Sequence, residues 1–170
     1  NMAFGHGLSV SLLQMARSYM IFARNGDIIP LSFVKVDEQP VGQQVISAKT
    51  AAQVRTMLES VVGPGGTASR AQVAGYRIGG KTGTAEKIVN GRYSRTNNIG
   101  YFAGIGPMSK PRFIIAVMVD DPSGPVRTGG YVAAPTAADL FSNALRAANV
   151  PPDSSITDII IPEVPLEESM

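Results

Sequence analysis

The residues best equipped for chemistry stand together in Gly79-Gly80-Lys81-Thr82-Gly83-Thr84-Ala85-Glu86-Lys87. A cation, two hydroxyls and a position without a side chain fall within one short run, and two different structures would put them to use. In the first, Gly75-Tyr76-Arg77-Ile78-Gly79-Gly80-Lys81-Thr82 is a phosphate loop, because it satisfies G-x-x-x-x-G-K-S/T. The apolar run 113–120, which ends in Asp120, would then supply a metal-holding carboxylate. Such a loop needs a buried strand before it and a helix N-terminus after Thr82 to face the phosphates. Ala71-Gln72-Val73-Ala74 is a weak strand, Gly83 follows Thr82 at once, and Asn90-Gly91 soon closes the segment. The context opposes nucleotide binding. In the second structure the run is extended: Lys81 is a fixed positive charge, the Thr82 and Thr84 hydroxyls alternate with Gly83, and a carboxylate can bind them. The bare Gly83 would let a peptide lie against the strand edge by β-augmentation.

The elements that must position this run are legible from periodicity. Residues 9–24 predict an amphipathic helix with Leu12, Met15, Tyr19, Phe22 and Ala23 on one side. Ser11 and Gln14 have capping-box spacing, and Asn25-Gly26 supplies the stop. Residues 28–36 have strand composition, with Pro30 suiting an edge or a strand start. A second helix is predicted over 48–62, with Val54, Leu58 and Val61 on one face, ended by Gly63-Pro64-Gly65-Gly66. Residues 76–87 predict a strand, Asn90-Gly91 a turn, and a long polar connection extends to Asn98. Strands over 101–106 and 113–120 follow, the latter apolar enough to be central and buried on both faces. A last helix covers 133–149, and Pro, Asp and Glu accumulate from Pro151 onward. Three consecutive strands suit an antiparallel meander. The expected fold class is therefore α/β of the α+β type, an antiparallel sheet flanked by helices.

Composition narrows the partners. At 170 residues the chain has the length of one domain. A formal charge of +2 with scattered Lys and Arg gives no basic stripe for nucleic acid. The absence of Cys excludes disulfides, thiolate metal sites and thiol catalysis. The longest wholly apolar stretch, 113–119, is far too short to span a membrane. No cofactor or metal is expected. His6 is the only histidine and reads as a loop residue; adjacent Asp120 and Asp121 point to opposite faces of a strand and read as its terminal turn. Tyr93 and Tyr101 suit either a groove or the core, whereas Met15, Met20 and Met57 suit core filling. Glu163, Glu167 and Glu168 suit a solvated tail.

The extended reading has company along the chain. Gly65-Gly66-Thr67, Ala74-Gly75-Tyr76, Gly79-Gly80-Lys81-Thr82-Gly83-Thr84-Ala85 and Asn90-Gly91-Arg92-Tyr93 together resemble class B penicillin-binding proteins. Phe102-Ala103-Gly104, Asp120-Asp121-Pro122, Gly129-Gly130 and Ala134-Pro135 fit the same family, as do Gly5-His6-Gly7-Leu8 and Ala16-Arg17-Ser18-Tyr19 near the front. Val150-Pro151-Pro152-Asp153 is similar to the septal, division-type members, the penicillin-binding protein 3-like group. The resemblance implies a β-lactamase/transpeptidase-like fold, with residues 1–150 as the C-terminal part of a transpeptidase domain and 151–170 as a tail. It also implies a peptidoglycan D,D-transpeptidase that cross-links stem peptides through a serine acyl-enzyme and binds β-lactams. Lys81, Thr82, Gly83 and Thr84 would bind the donor; Lys81 and Thr84 would also be catalytic, the Thr84 backbone N–H serving as an oxyanion donor. Such proteins are anchored in the inner membrane with the enzymatic domain in the periplasm, and division-complex proteins are implied partners.

Two family motifs are missing. The one S-x-x-K match, Ser32-Phe33-Val34-Lys35, falls in the predicted strand and on the wrong side of the order, and no S-x-N triplet occurs. The nucleophile is therefore expected upstream, in an N-terminal remainder carrying S-x-x-K and S-x-N, so that 1–170 alone would be inactive. Other departures are Arg127-Thr128, where some relatives carry aromatics, and Glu86, where a basic residue occurs in some. A noncatalytic cell-wall or division scaffold of the same fold is the alternative, distinguished by whether those upstream motifs exist; a nucleotide-binding protein is the other.

Overall fold

The computed structural model describes residues 8–38 and 40–159. The first helix, α1 (Leu12–Ala23), begins three residues later than periodicity suggests, because Ser11 closes a full capping box with Gln14. The helix α2 spans Ala48–Val62, as predicted, capped by the Ser47 hydroxyl on Thr50 N. Between them, β1 (Asp27–Ile28) and β2 (Gln43–Gln44) form a two-residue antiparallel pairing. The strand expected over 28–36 is thus corrected to its first residue. Pro30 lacks a ladder donor, and the Ser32 hydroxyl bonds both the N–H and the C=O of Val34, drawing the backbone into a local turn.

The main sheet is a meander in the order β3-β4-β5, with β3 at Gly79–Val89, β4 at Arg92–Gly106 and β5 at Phe113–Asp120. The polar stretch read as a connection up to Asn98 is instead the first half of β4. Asn90 and Gly91, at φ 51° and 77°, make the two-residue turn that lets Val89 pair with Arg92, so the hairpin extends outward as a polar ribbon. Among the described residues β5 is an edge in this order, paired with β4 alone. Its apolar content is explained by helices on both faces, although Met118 remains 47% exposed. The four-residue α3 (Gly129–Val132) and then α4 (Ala134–Ala147) divide what was read as a single final helix.

Directly opposed residues share a face of an antiparallel pair. One face carries Ile105 and Ile114, which pack with Tyr19, Phe22 and Ala23 of α1, with Val54 and Leu58 of α2, and with Met108. The other carries Phe102 and Val117, packed on Ala137, Phe141 and Leu145 of α4. Phe102, Phe141, Ile105 and Leu145 are fully buried, and burial of each such side chain stabilises by roughly 1.5–3 kcal/mol. Two glycines make room for this core. A Cβ on Gly80 would lie 2.5 Å from Phe102 Cζ, and one on Gly104 2.7 Å from its Cε1. Met57, read as core, is 65% exposed.

The segment read as a tail is tied down over its first residues. Asp153 accepts the N–H groups of Arg77 at 2.7 Å and Ser109 at 3.0 Å, and Gly75 N–H reaches Ile156 O at 2.9 Å. Arg77 also holds Glu59 of α2 through two contacts at 2.5 and 2.7 Å. The start of β3 is therefore fixed to both α2 and the segment after α4.

Candidate active site

The strand β3 is an edge strand, so the polar groups along its outer side face no other strand among the described residues. Thr82 and Thr84 stand opposite Phe102 and Gly100 and lie on the α3 and α4 side of the sheet; Lys81 and Gly83 stand opposite Ala103 and Tyr101, on the other side. Strand alternation alone would thus separate the ammonium from the hydroxyls. The Lys81 side chain overcomes this by crossing the strand: its Nζ donates to Thr82 O at 2.9 Å and lies 3.5 Å from Thr82 Oγ1. Lys81 and Thr84 are exposed, and Thr82 and Gly83 half-buried. Half-buried Tyr101 flanks Gly83, where an added Cβ would make only ordinary contacts of 3.6 and 3.8 Å with the Tyr101 side chain.

The two hydroxyls are held from behind. Thr82 Oγ1 lies 3.1 Å from Thr67 Oγ1, and Thr84 Oγ1 accepts the Gly129 N–H at 3.2 Å. The close seating of α3 against β3 requires glycine twice: a Cβ on Gly129 would overlap the carbonyl oxygens of Gly83 and Tyr101, and one on Gly130 would overlap that of Thr67. Thr67, Gly129 and Gly130 were visible in sequence only as parts of glycine-containing motifs. Their contacts with Thr82 and Thr84 join residues 15 and 45 positions apart, which no local spacing encodes.

Neighbouring candidates sort by their partners. Arg127 is engaged by the carbonyls of Gly124, at 3.0 Å, and Thr96. Arg70 lies 4.5 Å above the ring of Tyr131. Lys87 pairs with Asp120 at 2.7 Å, and this hydrogen bond raises the lysine pKa; Asp121 takes two contacts from Asn97 at 3.1 and 2.9 Å. The two aspartates therefore have separate partners, and among the described residues no group of three or more His, Asp or Glu could hold a metal. Tyr93, opposite Ile88, lies far out on the hairpin ribbon. Ser32 and Lys35 occupy an exposed irregular segment and not the start of a helix. His6, Glu163, Glu167 and Glu168 fall outside the described residues. No helix follows Thr82, so the strand–loop–helix geometry of a phosphate loop is not met.

The family profile described as the penicillin-binding protein transpeptidase domain matches residues 1–142. The chain belongs to that family. Among solved structures it is similar to the transpeptidase domain of penicillin-binding protein 3 from Burkholderia pseudomallei, with a TM-score of 0.84 and 45% identity over 90% of this chain and 47% of that one. Among curated proteins it is 41% identical over 164 residues to the probable peptidoglycan D,D-transpeptidase PenA of Neisseria flavescens, covering 96% of this chain and 41% of that protein. It is also 41% identical over 156 residues to the peptidoglycan D,D-transpeptidase FtsI of Escherichia coli K12, covering 91% of this chain and 26% of that protein. The chain thus spans less than half the length of each of these relatives. The fold is the penicillin-recognising one, here as an antiparallel sheet flanked by helices.

Proposed function

We propose that this chain forms the K-T-G-T wall of the active site of a serine-type, septal peptidoglycan D,D-transpeptidase. The observation that carries the proposal is the open edge of β3, where Lys81 Nζ, the Thr82 and Thr84 hydroxyls and the side-chain-free Gly83 converge. An extended peptide can add to such an edge, its terminal carboxylate held by the ammonium and the two hydroxyls. Lys81 reaches Thr82 O from the outer side, and the two-residue alternation of strand backbone then directs the Thr84 N–H to that same side.

The chemistry follows from these positions. A serine from the N-terminal remainder attacks the D-Ala-D-Ala carbonyl, and the Thr84 N–H donates to the developing oxyanion. One such donor is worth about 3–4 kcal/mol of transition-state stabilisation. Collapse breaks the peptide bond, D-alanine leaves with the proton, and the amine of a neighbouring stem attacks the acyl-enzyme to form the cross-link. A β-lactam presents the same carboxylate and carbonyl but keeps its leaving group tethered, so it stalls as the acyl-enzyme. The upstream segment is the partner that completes the site. The proposed setting is the periplasmic face of the inner membrane; no helix among the described residues is long and apolar enough to be the anchor.

Lys81→Ala in the intact protein tests the assignment. Removing a charge-assisted contact to a carboxylate should slow acylation by a fluorescent penicillin by roughly tenfold or more. An unchanged rate would refute the role of Lys81, and an intact protein that takes no label at all would favour the scaffold alternative.

A further inference from the structure

A threonine hydroxyl has one proton and two lone pairs, whereas a carboxylate only accepts. To bind a carboxylate, Thr82 and Thr84 must each keep that proton free. At Thr84 the direction is fixed by the backbone: the Gly129 N–H can only donate, so Thr84 Oγ1 accepts it at 3.2 Å and its proton remains for the open side. At Thr82 the corresponding partner is another hydroxyl, Thr67 Oγ1 at 3.1 Å, and either atom can be the donor. Lys81 Nζ, a donor only, stands 3.5 Å from the same oxygen and takes one of its two lone pairs, leaving the second to accept from Thr67.

We propose that Thr67 is a positioning residue for carboxylate recognition, donating its proton to Thr82 Oγ1 and so turning the Thr82 proton toward the substrate. The proposal rests on the reading of β3 given above. Thr67 is exposed, but its backbone is held in place. Its carbonyl is seated against Gly130, where no Cβ could fit. The next residue, Ala68, is fully buried and donates its N–H to Val61 O at 3.0 Å, so the loop is anchored to the end of α2. A hydroxyl that accepts one hydrogen bond becomes a stronger donor in the next. The chain Thr67 to Thr82 to carboxylate therefore strengthens when the anion arrives, and the Gly129 N–H performs the same service at Thr84.

The test compares Thr67→Val, which keeps the shape and loses the proton, with Thr67→Ser, which keeps the hydroxyl. Both are made in the intact protein, and the dissociation constant of the initial complex is measured separately from the acylation rate constant. The probes are a penicillin free acid and its methyl ester. Thr67→Val should weaken binding of the acid by roughly 3- to 10-fold, as expected for loss of one cooperative hydrogen bond, with little change for the ester. Thr67→Ser should restore the acid to the parent value. Equal binding of the acid by parent and Thr67→Val, in a protein that Lys81→Ala impairs, overturns the role of Thr67 alone. Equal losses for acid and ester, not rescued by Ser, reduce Thr67 to a structural prop and also overturn it. Should Lys81→Ala itself leave acylation unchanged, the reading of β3 fails first and this inference falls with it.

Discussion

Within the run Gly79 to Thr84, Gly80 and Gly83 have opposite tasks. Gly80 faces the core, where an added methyl would lie 2.5 Å from Phe102 Cζ and 2.6 Å from the Ala103 carbonyl oxygen. The carbonyl cannot yield as a side chain can, so Gly80→Ala should destabilise by about 1–3 kcal/mol, read as a lower urea midpoint. Gly83 has no such constraint, its nearest neighbour being a Tyr101 side-chain atom at 3.6 Å. Gly83→Ala should therefore keep the urea midpoint of the parent, yet slow acylation of the intact protein, because the methyl is added to the strand on which the peptide is proposed to lie. Equal acylation rates for Gly83→Ala and parent would remove the proposed requirement for a bare position. Sequence alone showed the glycines. Only the register, which sets Gly80 opposite Gly104 and Gly83 opposite Tyr101, separated their roles.

Among the elements, the joint between α1 and β1 is held by charge. Arg24 donates to Asp27 at 3.0 and 3.1 Å through Nε and at 2.7 Å through Nη2, and this hydrogen bonding holds the Asp27 carboxyl below its ordinary range. Folded protein then binds fewer protons here than unfolded chain, so the contribution is complete above the unfolded carboxylate pKa and is lost as pH falls through the lower folded value. Asp27→Asn should lower the urea midpoint at neutral pH, and the gap to the parent should narrow as pH falls below the ordinary carboxylate pKa. A gap independent of pH would mean that packing, not charge, accounts for the contact. The size is expected to be small because the pair is solvent-screened. The pair itself was not foreseen: residues 24 and 27 straddle the predicted stop at Asn25-Gly26, and their approach depends on Gly26 adopting φ 86° and receiving the β2 segment through its carbonyl.

For the whole molecule, the proposal that the nucleophile lies in an N-terminal remainder gives a direct expectation. Purified residues 1–170 should take no covalent label from a fluorescent penicillin, and stoichiometric labelling would overturn the proposed division of the site. The sequence by itself determined the local matters: the bounds of α2, the Ser11–Gln14 cap, the Asn90-Gly91 turn and the identity of the Lys81-Thr82-Gly83-Thr84 run. Each is written in neighbouring residues, through periodicity, capping chemistry or backbone preference. Sequence erred where tertiary contacts override such preferences. The polar residues after Gly91 became strand because β3 offered them a ladder, and among the described residues the apolar 113–120 run pairs only with β4 while α1 and α4 pack on it. The candidate site divides in the same way. Its residue types were legible, but the crossing of Lys81 to Thr82, the seating of Gly129 and Gly130, and the Thr67 hydroxyl behind Thr82 were decided by the tertiary structure. Those contacts join segments distant along the chain, and only packing of α3 and the loop after α2 against one strand brings their atoms within hydrogen-bonding distance.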